Sequence, residues 1–197
     1  FEELWLTQLS QPEMEQILAP LTPVSESCTR QILAFKQEIE KKSVGQKGRV
    51  ILAKLIPSIL ELVLDTYAKF ADFTLQRLFT LLHQIAGRTA YLELLNENRG
   101  ALQQLARLCK ESPWIAETLS KHPLLLDELI DPKLLYEIKP LENYYPDLRE
   151  FLLRIPEDDL ESQMEALRHY KQICQLHVAA ADVTGVLPVM KVSDHLS

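Results

Sequence analysis

Three groups of residues in this chain have types and spacings that could do chemistry. The first is Lys41-Lys42-Ser43-Val44-Gly45-Gln46-Lys47-Gly48-Arg49, two glycines and four cations ahead of an apolar helix. A helix N-terminus with nearby Lys and Arg can hold a phosphate. The run is not a P-loop, because G-x-x-x-x-G-K-[ST] is absent. A solvated inter-helix turn with favourable end charges accounts for the same residues. The second group is Glu157-Asp158-Asp159. A hard cation needs several oxygens converging on one point, and consecutive residues at a helix start diverge. Complementing the positive end of a helix dipole explains these acids more simply. The third group is His169, Cys174 and His177 on one helical stretch. Cys174 and His177 share a face, but a zinc site needs three or four ligands and no partner pair is evident.

His83, His122 and His195 are isolated, and no G-x-S-x-G elbow accompanies any serine. The residues therefore point to no catalytic, cofactor-binding or metal-binding side chain. Arg88 to Leu95, beside Gly87, mixes a cation, a hydroxyl and an aromatic. Arg and Tyr are enriched where proteins meet partners. The partner-contact candidates are thus Lys41, Lys42, Lys47, Arg49, Arg88 and Tyr91.

Composition bounds what these residues can belong to. The chain has 197 residues, enough for one or two domains with a sizeable core. Glycine is scarce, at 5, and leucine abundant, which favours helices over a turn-rich β fold. A net charge of -7 argues against a general nucleic-acid binder, which needs a basic footprint. The 3 cysteines, Cys28, Cys109 and Cys174, are widely spaced, so a disulfide framework is not expected and a reducing cytoplasm fits. No apolar run approaches the ~20 residues that cross a bilayer, so no membrane partner is expected.

The elements that would position these side chains read as helices nearly throughout. Pro12 suits the first turn of a short helix that ends before Pro20 and Pro23. Ser25 or Ser27 is the expected cap of a helix carrying Ile32, Leu33, Phe35 and Ile39 at helical spacing. Residues 43–48 read as the following turn. From Arg49 to about Lys69 runs an apolar helix with Pro57 inside it, predicting a kink or break near Ile56. Another is expected over about 72–95 with Gly87 in its interior, compensated by a close helix crossing. Ser112-Pro113 and Asp131-Pro132 each pair an N-cap with a proline at the first helical position. Pro140 to Pro146 is the best linker candidate, and Pro156-Glu157-Asp158-Asp159 is expected to open the last long helix. Gly185 suits its stop. The fold expected is an all-α bundle of about 8–10 helices in two packed subregions, without a sheet.

Both ends read as abrupt. Phe1-Glu2-Glu3-Leu4-Trp5-Leu6 starts inside an apolar pattern, and Ser193-Asp194 opens a helix three residues before the last. The chain is expected to be a piece of a longer protein.

Several stretches together carry a family resemblance. They are KGRVILAKLIPSIL at 47–60, GRTAYLELLNEN at 87–98 and SPWIAETLSKHPLLLDELIDPKLLY at 112–136. LRIPEDDLESQMEALRHYKQ at 153–172 and AAADVTGVLPVMKVSDHLS at 179–197 complete the set. Distributed in order over most of the chain, they resemble the bifunctional glutamine synthetase adenylyltransferase/adenylyl-removing enzymes. The resemblance implies a large cytoplasmic enzyme of bacterial nitrogen control with two nucleotidyltransferase-like halves. One removes AMP from a tyrosine of glutamine synthetase by phosphorolysis, and the other attaches AMP from ATP. It also implies Mg²⁺ held by carboxylates. The implied partners are glutamine synthetase, the other domains of the chain and a nitrogen signal protein that, with glutamine, selects the direction.

The catalytic pattern of such halves is a Gly-Ser turn with an Asp-x-Asp pair on a strand. Here the 5 glycines precede Gln46, Arg49, Arg88, Ala101 and Val186, none of them serine, and no Asp-x-Asp occurs. By resemblance, residues 1–110 are then the helical tail of the removing half. Residues 111–197 are a central linking or regulatory region leading into the attaching half. The expected role is a connecting and signal-transmitting segment, inactive alone. The alternative is a stand-alone docking module for the signal protein or glutamine synthetase.

Overall fold

The computed structural model describes residues 1–186 and 192. The expected cap Ser193 and the isolated His195 lie outside the described residues. Eleven α-helices and three short 3-10 turns, with no strand, make up the described chain, which is all-α as expected. It divides into two compact units, Phe1–Ile130 and Asp131–Ser197.

The first unit holds α1 (Glu2–Leu6), α2 (Gln11–Leu18), α3 (Ser25–Lys41), α4 (Gln46–Tyr67) and α5 (Ala71–Ile85). It continues with α6 (Thr89–Glu97), α7 (Arg99–Glu111), α8 (Pro113–Lys121) and a 3-10 turn over Pro123–Leu129. The spacing of apolar residues decides the packing. Leu55, Ile56, Ile59, Leu60 and Val63 form a wide stripe on α4, and Leu75, Leu78, Leu82 and Ile85 form one on α5; all are fully buried. α5 lies at the centre, against α3, α4, α7 and α8. Phe35 of α3 stacks on Phe79 of α5, with ring centroids 4.4 Å apart, and meets Trp5 of α1 at 5.7 Å.

Polar anchors fix the joints between these helices. The Arg77 guanidinium donates to the carbonyls of Cys109 (2.6 Å) and Lys110 (3.1 Å). Those carbonyls belong to the last turn of α7, which lacks intrahelical donors. The Thr22 hydroxyl donates to the Ala68 carbonyl at 2.6 Å and accepts from the Val24 N–H, tying the loop before α3 to the end of α4.

Several expectations need correction. Ser25 is the first residue of α3 and Val24 its cap, without a side-chain cap bond; the Thr22 hydroxyl instead takes up the Val24 N–H. The turn expected over 43–48 is shorter, because α4 already begins at Gln46. Pro57 does not break α4, which runs unbroken for 22 residues. Pro57 is itself buried on the packed face, and burial of an amphipathic face outweighs one lost backbone bond. The helix expected over 72–95 is two helices, with Gly87 in the turn between them. Among the described residues nothing lies within 4 Å of a Cβ built on Gly87, so the expected close crossing is not seen there. The tight glycine is Gly48, where a Cβ would come 2.9 Å from Val44 Cγ1 in the turn before α4 and at an ordinary 3.6 Å from the Ala86 carbonyl. Glycine at 48 leaves room for the Val44 side chain, while the end of α5 stands at ordinary contact distance.

The second unit holds α9 (Pro132–Tyr136), a 3-10 turn over Leu141–Asn143, α10 (Tyr144–Leu152) and α11 (Leu160–Val183). α11 packs against α9 and α10, and Val178 and Ala181 form a small apolar centre with Ile138 and Val192. The linker expected over 140–146 is largely helical, and Pro146 lies in the first turn of α10. The last helix starts later than expected. Glu157 and Asp158 sit in the preceding turn, and Asp159 is the N-cap, its carboxylate accepting from the Ser162 N–H at 3.0 Å. Ser112 and Asp131 cap α8 and α9 as expected, accepting from Ile115 N–H and from Lys133 and Leu134 N–H. Gly185, at φ 74, closes α11. The Val186 N–H reaches Ala181 O and the Gly185 N–H reaches Asp182 O, the paired bonds of a Schellman stop.

Candidate functional site: a polar groove between two helices

The partner-contact candidates occupy two places in the first unit. Lys41 ends α3, Lys42 is its C-cap and Gly45 is the N-cap of α4. Lys47 pairs with Glu93 of α6 at 2.5 Å, and this carboxylate raises the ammonium pKa above its ordinary value. The Arg49 Nε donates to the Val44 carbonyl at 3.2 Å. Two of the four cations are thus engaged with protein groups.

Arg88 is the N-cap of α6 and stands at one end of an open groove of about 570 Å³. Tyr91, half-buried on α6, is not part of its wall. One wall is a row on α5, Gln76, Thr80 and Gln84, with Arg77 beside it. The facing wall is α8, with Glu117, Ser120 and Lys121 above the buried Ala116. The row arises because residues four apart on a helix stack on one face. Among the α5 residues between them, Leu78, Phe79, Leu81 and Leu82 are buried and hold that face outward.

The hydroxyls of Thr80 and Ser120 donate back to the carbonyls of Gln76 and Ala116. Lys121 pairs with Glu117 at 2.5 Å, which holds that carboxyl below its ordinary range. The amides of Gln76 and Gln84 and the Arg88 guanidinium have no partner among the described residues. The groove therefore offers free amide donors and acceptors together with cationic ends. It can bind a polar, anionic group; nothing in it is arranged as a nucleophile and base.

The other groups read in the sequence stand apart. Asp159 accepts from the Ser162 N–H and hydroxyl, which lowers its pKa. Cys174 is half-buried near Tyr170, and burial raises its pKa. The Tyr170 hydroxyl donates to the Tyr144 carbonyl at 3.1 Å, and its ring meets Phe151, which also approaches His169. Lys139 pairs with Asp147 nearby. His122 caps α8, its N–H bonding Thr118 O. Among the described residues, no three His, Cys, Asp or Glu side chains converge to hold a metal ion. No described helix is long and apolar enough to cross a membrane.

Arg88, named from the sequence as a partner-contact candidate, lines the groove together with Gln76, Thr80 and Gln84, which the sequence reading did not single out. Their spacing of four was the available signal.

Comparison with known proteins decides the family. The sequence model of glutamate-ammonia ligase adenylyltransferase matches residues 102–197. The chain is 52% identical over its whole length to the bifunctional glutamine synthetase adenylyltransferase/adenylyl-removing enzyme of Vibrio parahaemolyticus, covering 21% of that protein. It is 54% identical to the same-named enzyme of Shewanella oneidensis over 83% of this chain and 17% of the enzyme. This chain belongs to that adenylyltransferase family. It spans about a fifth of the length of the curated relatives it matches. The family match begins inside α7, so it takes in the α8 wall of the groove and the whole second unit. The α5 wall is covered by the full-length similarity to the Vibrio enzyme.

Proposed function

We propose that this chain is a helical connecting and regulatory segment of an enzyme that attaches AMP to glutamine synthetase and removes it. The observation that carries the reading is 52% identity over the whole chain to an enzyme named for both activities, of which the match covers 21%. On this reading the two nucleotidyltransferase cores, with their Mg²⁺ and ATP, belong to the remaining length. Residues 1–110 are the helical tail of the removing half, and 111–197 lead into the attaching half. The enzyme works in the cytoplasm on glutamine synthetase and answers to a nitrogen signal protein.

Stiff helices suit this role. α4 and α11, of 22 and 24 residues, are rods of about 33 and 36 Å at 1.5 Å per residue. A shift at one end of a packed rod is delivered to the other, as in hinge and shear motions. Effector binding then biases the two activities through differential affinity for two placements of the cores.

One observation favours the alternative of a stand-alone docking module: Arg88 lines an open groove with unengaged amides. Calorimetric titration of the folded segment with the signal protein, modified and unmodified, separates the two readings. A connecting segment gives no heat with either form. Saturable heat with one form would overturn the connecting role and establish docking.

A further inference from the structure

We infer that the groove between α5 and α8 is a docking site for an extended acidic segment of a partner polypeptide. The inference deepens the partner-contact reading of Arg88 and does not depend on the connecting role.

Charge is the first argument. Acids outnumber bases in the chain, 28 to 21, yet the groove carries Arg77, Arg88 and Lys121 against the single carboxylate of Glu117. A local reversal of sign on an acidic protein selects for acidic partners and suppresses basic ones. Arg77 is half-buried, stacked 4.8 Å over the Phe73 ring and bonded to the α7 carbonyls. It contributes a fixed positive wall, whereas Arg88 is exposed and unengaged.

Shape is the second. Gln76, Thr80 and Gln84 form a straight row, and Gln76 to Gln84 spans about 12 Å at 1.5 Å per residue. About four residues of extended chain at 3.3 Å each cover that distance. A volume of about 570 Å³ fits a short stretch of peptide lying along the row.

Hydrogen bonding is the third. The side chains of Gln76 and Gln84 have no partner among the described residues. Each amide can donate to a backbone carbonyl and accept from a backbone N–H of an extended chain. The hydroxyls of Thr80 and Ser120 have donated to their own helices and remain acceptors. A small anion would use the cations and leave the amides idle. An acidic peptide uses both.

The test is fluorescence anisotropy of a labelled decaglutamate peptide titrated with the whole chain at low ionic strength. Saturable binding is expected. Arg88→Glu combined with Lys121→Glu is expected to weaken it about tenfold or more, and Gln76→Ala with Gln84→Ala about threefold. Lys41→Glu with Lys42→Glu, off the groove, changes it less than twofold. The substituted residues are exposed apart from the half-buried Lys42, and unchanged far-ultraviolet dichroism confirms folding. No saturable binding overturns the inference, as does an equal loss from the Lys41/Lys42 variant. Displacement of the peptide by inorganic phosphate at matched concentration makes the groove a simple anion site and overturns it too. Peptide binding together with no heat from the signal protein leaves both the groove and the connecting role standing. Peptide binding with heat from the signal protein removes the connecting role alone.

Discussion

Replacing Phe35 by alanine should cost the first unit about 3–5 kcal/mol, the range for truncating a fully packed aromatic. Phe35 is only 2% exposed. Its ring lies flat on Phe79 at 4.4 Å, with an interplanar angle of 1°, and meets Trp5 at 5.7 Å. Burial of the ring supplies about 2–3 kcal/mol, and the aromatic pairs add about 0.5–1.5 kcal/mol. The rest comes from the cavity left where α1, α3 and α5 meet, which rigid helices do not close. The assay is urea unfolding followed by tryptophan fluorescence. Both tryptophans, Trp5 and Trp114, lie within Phe1–Ile130, so the signal reports that unit. With a slope of about 2 kcal/mol/M, the midpoint should fall by about 1.5–2.5 M. A loss below about 1 kcal/mol would refute the packing argument. A double-mutant cycle of Phe35→Leu and Phe79→Leu should show coupling of about 0.5–1.5 kcal/mol, and additivity would show that the stacked pair contributes nothing of its own.

The remaining predictions concern individual side chains and the cysteines. Ser112→Ala, which removes the side-chain acceptor of the Ile115 N–H, should cost about 1 kcal/mol in the same assay. Thr29→Val should be neutral or stabilising, because the Thr29 hydroxyl is buried with no hydrogen-bond partner among the described residues and its removal ends a desolvation penalty; a loss above about 1 kcal/mol would show a partner exists. Burial pushes the Cys28 thiol up to about 11 and the Cys109 thiol to about 12. Both folded values lie above that of an unfolded thiol, about 8.5, so their contribution to stability is intact below about pH 8.5. It is lost as the pH rises through 11 to 12. Urea midpoints should fall from pH 9 upward, less steeply in Cys28→Ala with Cys109→Ala. At pH 8 a thiol reagent should modify the half-buried Cys174 first and the other two only on unfolding.

What was legible in the sequence was local chemistry. Ser112-Pro113 and Asp131-Pro132 carry their caps within three residues, and Gly185 needs only its own φ to stop α11. The apolar stripes of α4 and α5 follow from spacing alone, so the all-helical class was legible too. Misreadings fell where packing decides. Pro57 reads as a break because its own backbone cost is local, while the burial that holds α4 together involves other helices. Gly87 reads as a close crossing, but the tight glycine is Gly48, which leaves room for Val44 in the turn before α4. Asp159 rather than Pro156 marks the start of α11, because the Ser162 N–H and hydroxyl both find its carboxylate. The groove is the least legible feature. Its walls come from helices far apart in the chain, and only the period of four at Gln76, Thr80 and Gln84 hints at one of them.

The connecting role is tested most directly in an intact relative such as the Vibrio enzyme. Its segment aligned with the second unit, Asp131–Ser197, would be replaced by a flexible Gly/Ser linker of matching reach, and attachment and removal of AMP measured with and without effectors. The account predicts that both reactions persist at basal rates while their reciprocal response to effectors is lost. Retention of full reciprocal control, or loss of the basal reactions in a folded protein, would contradict it.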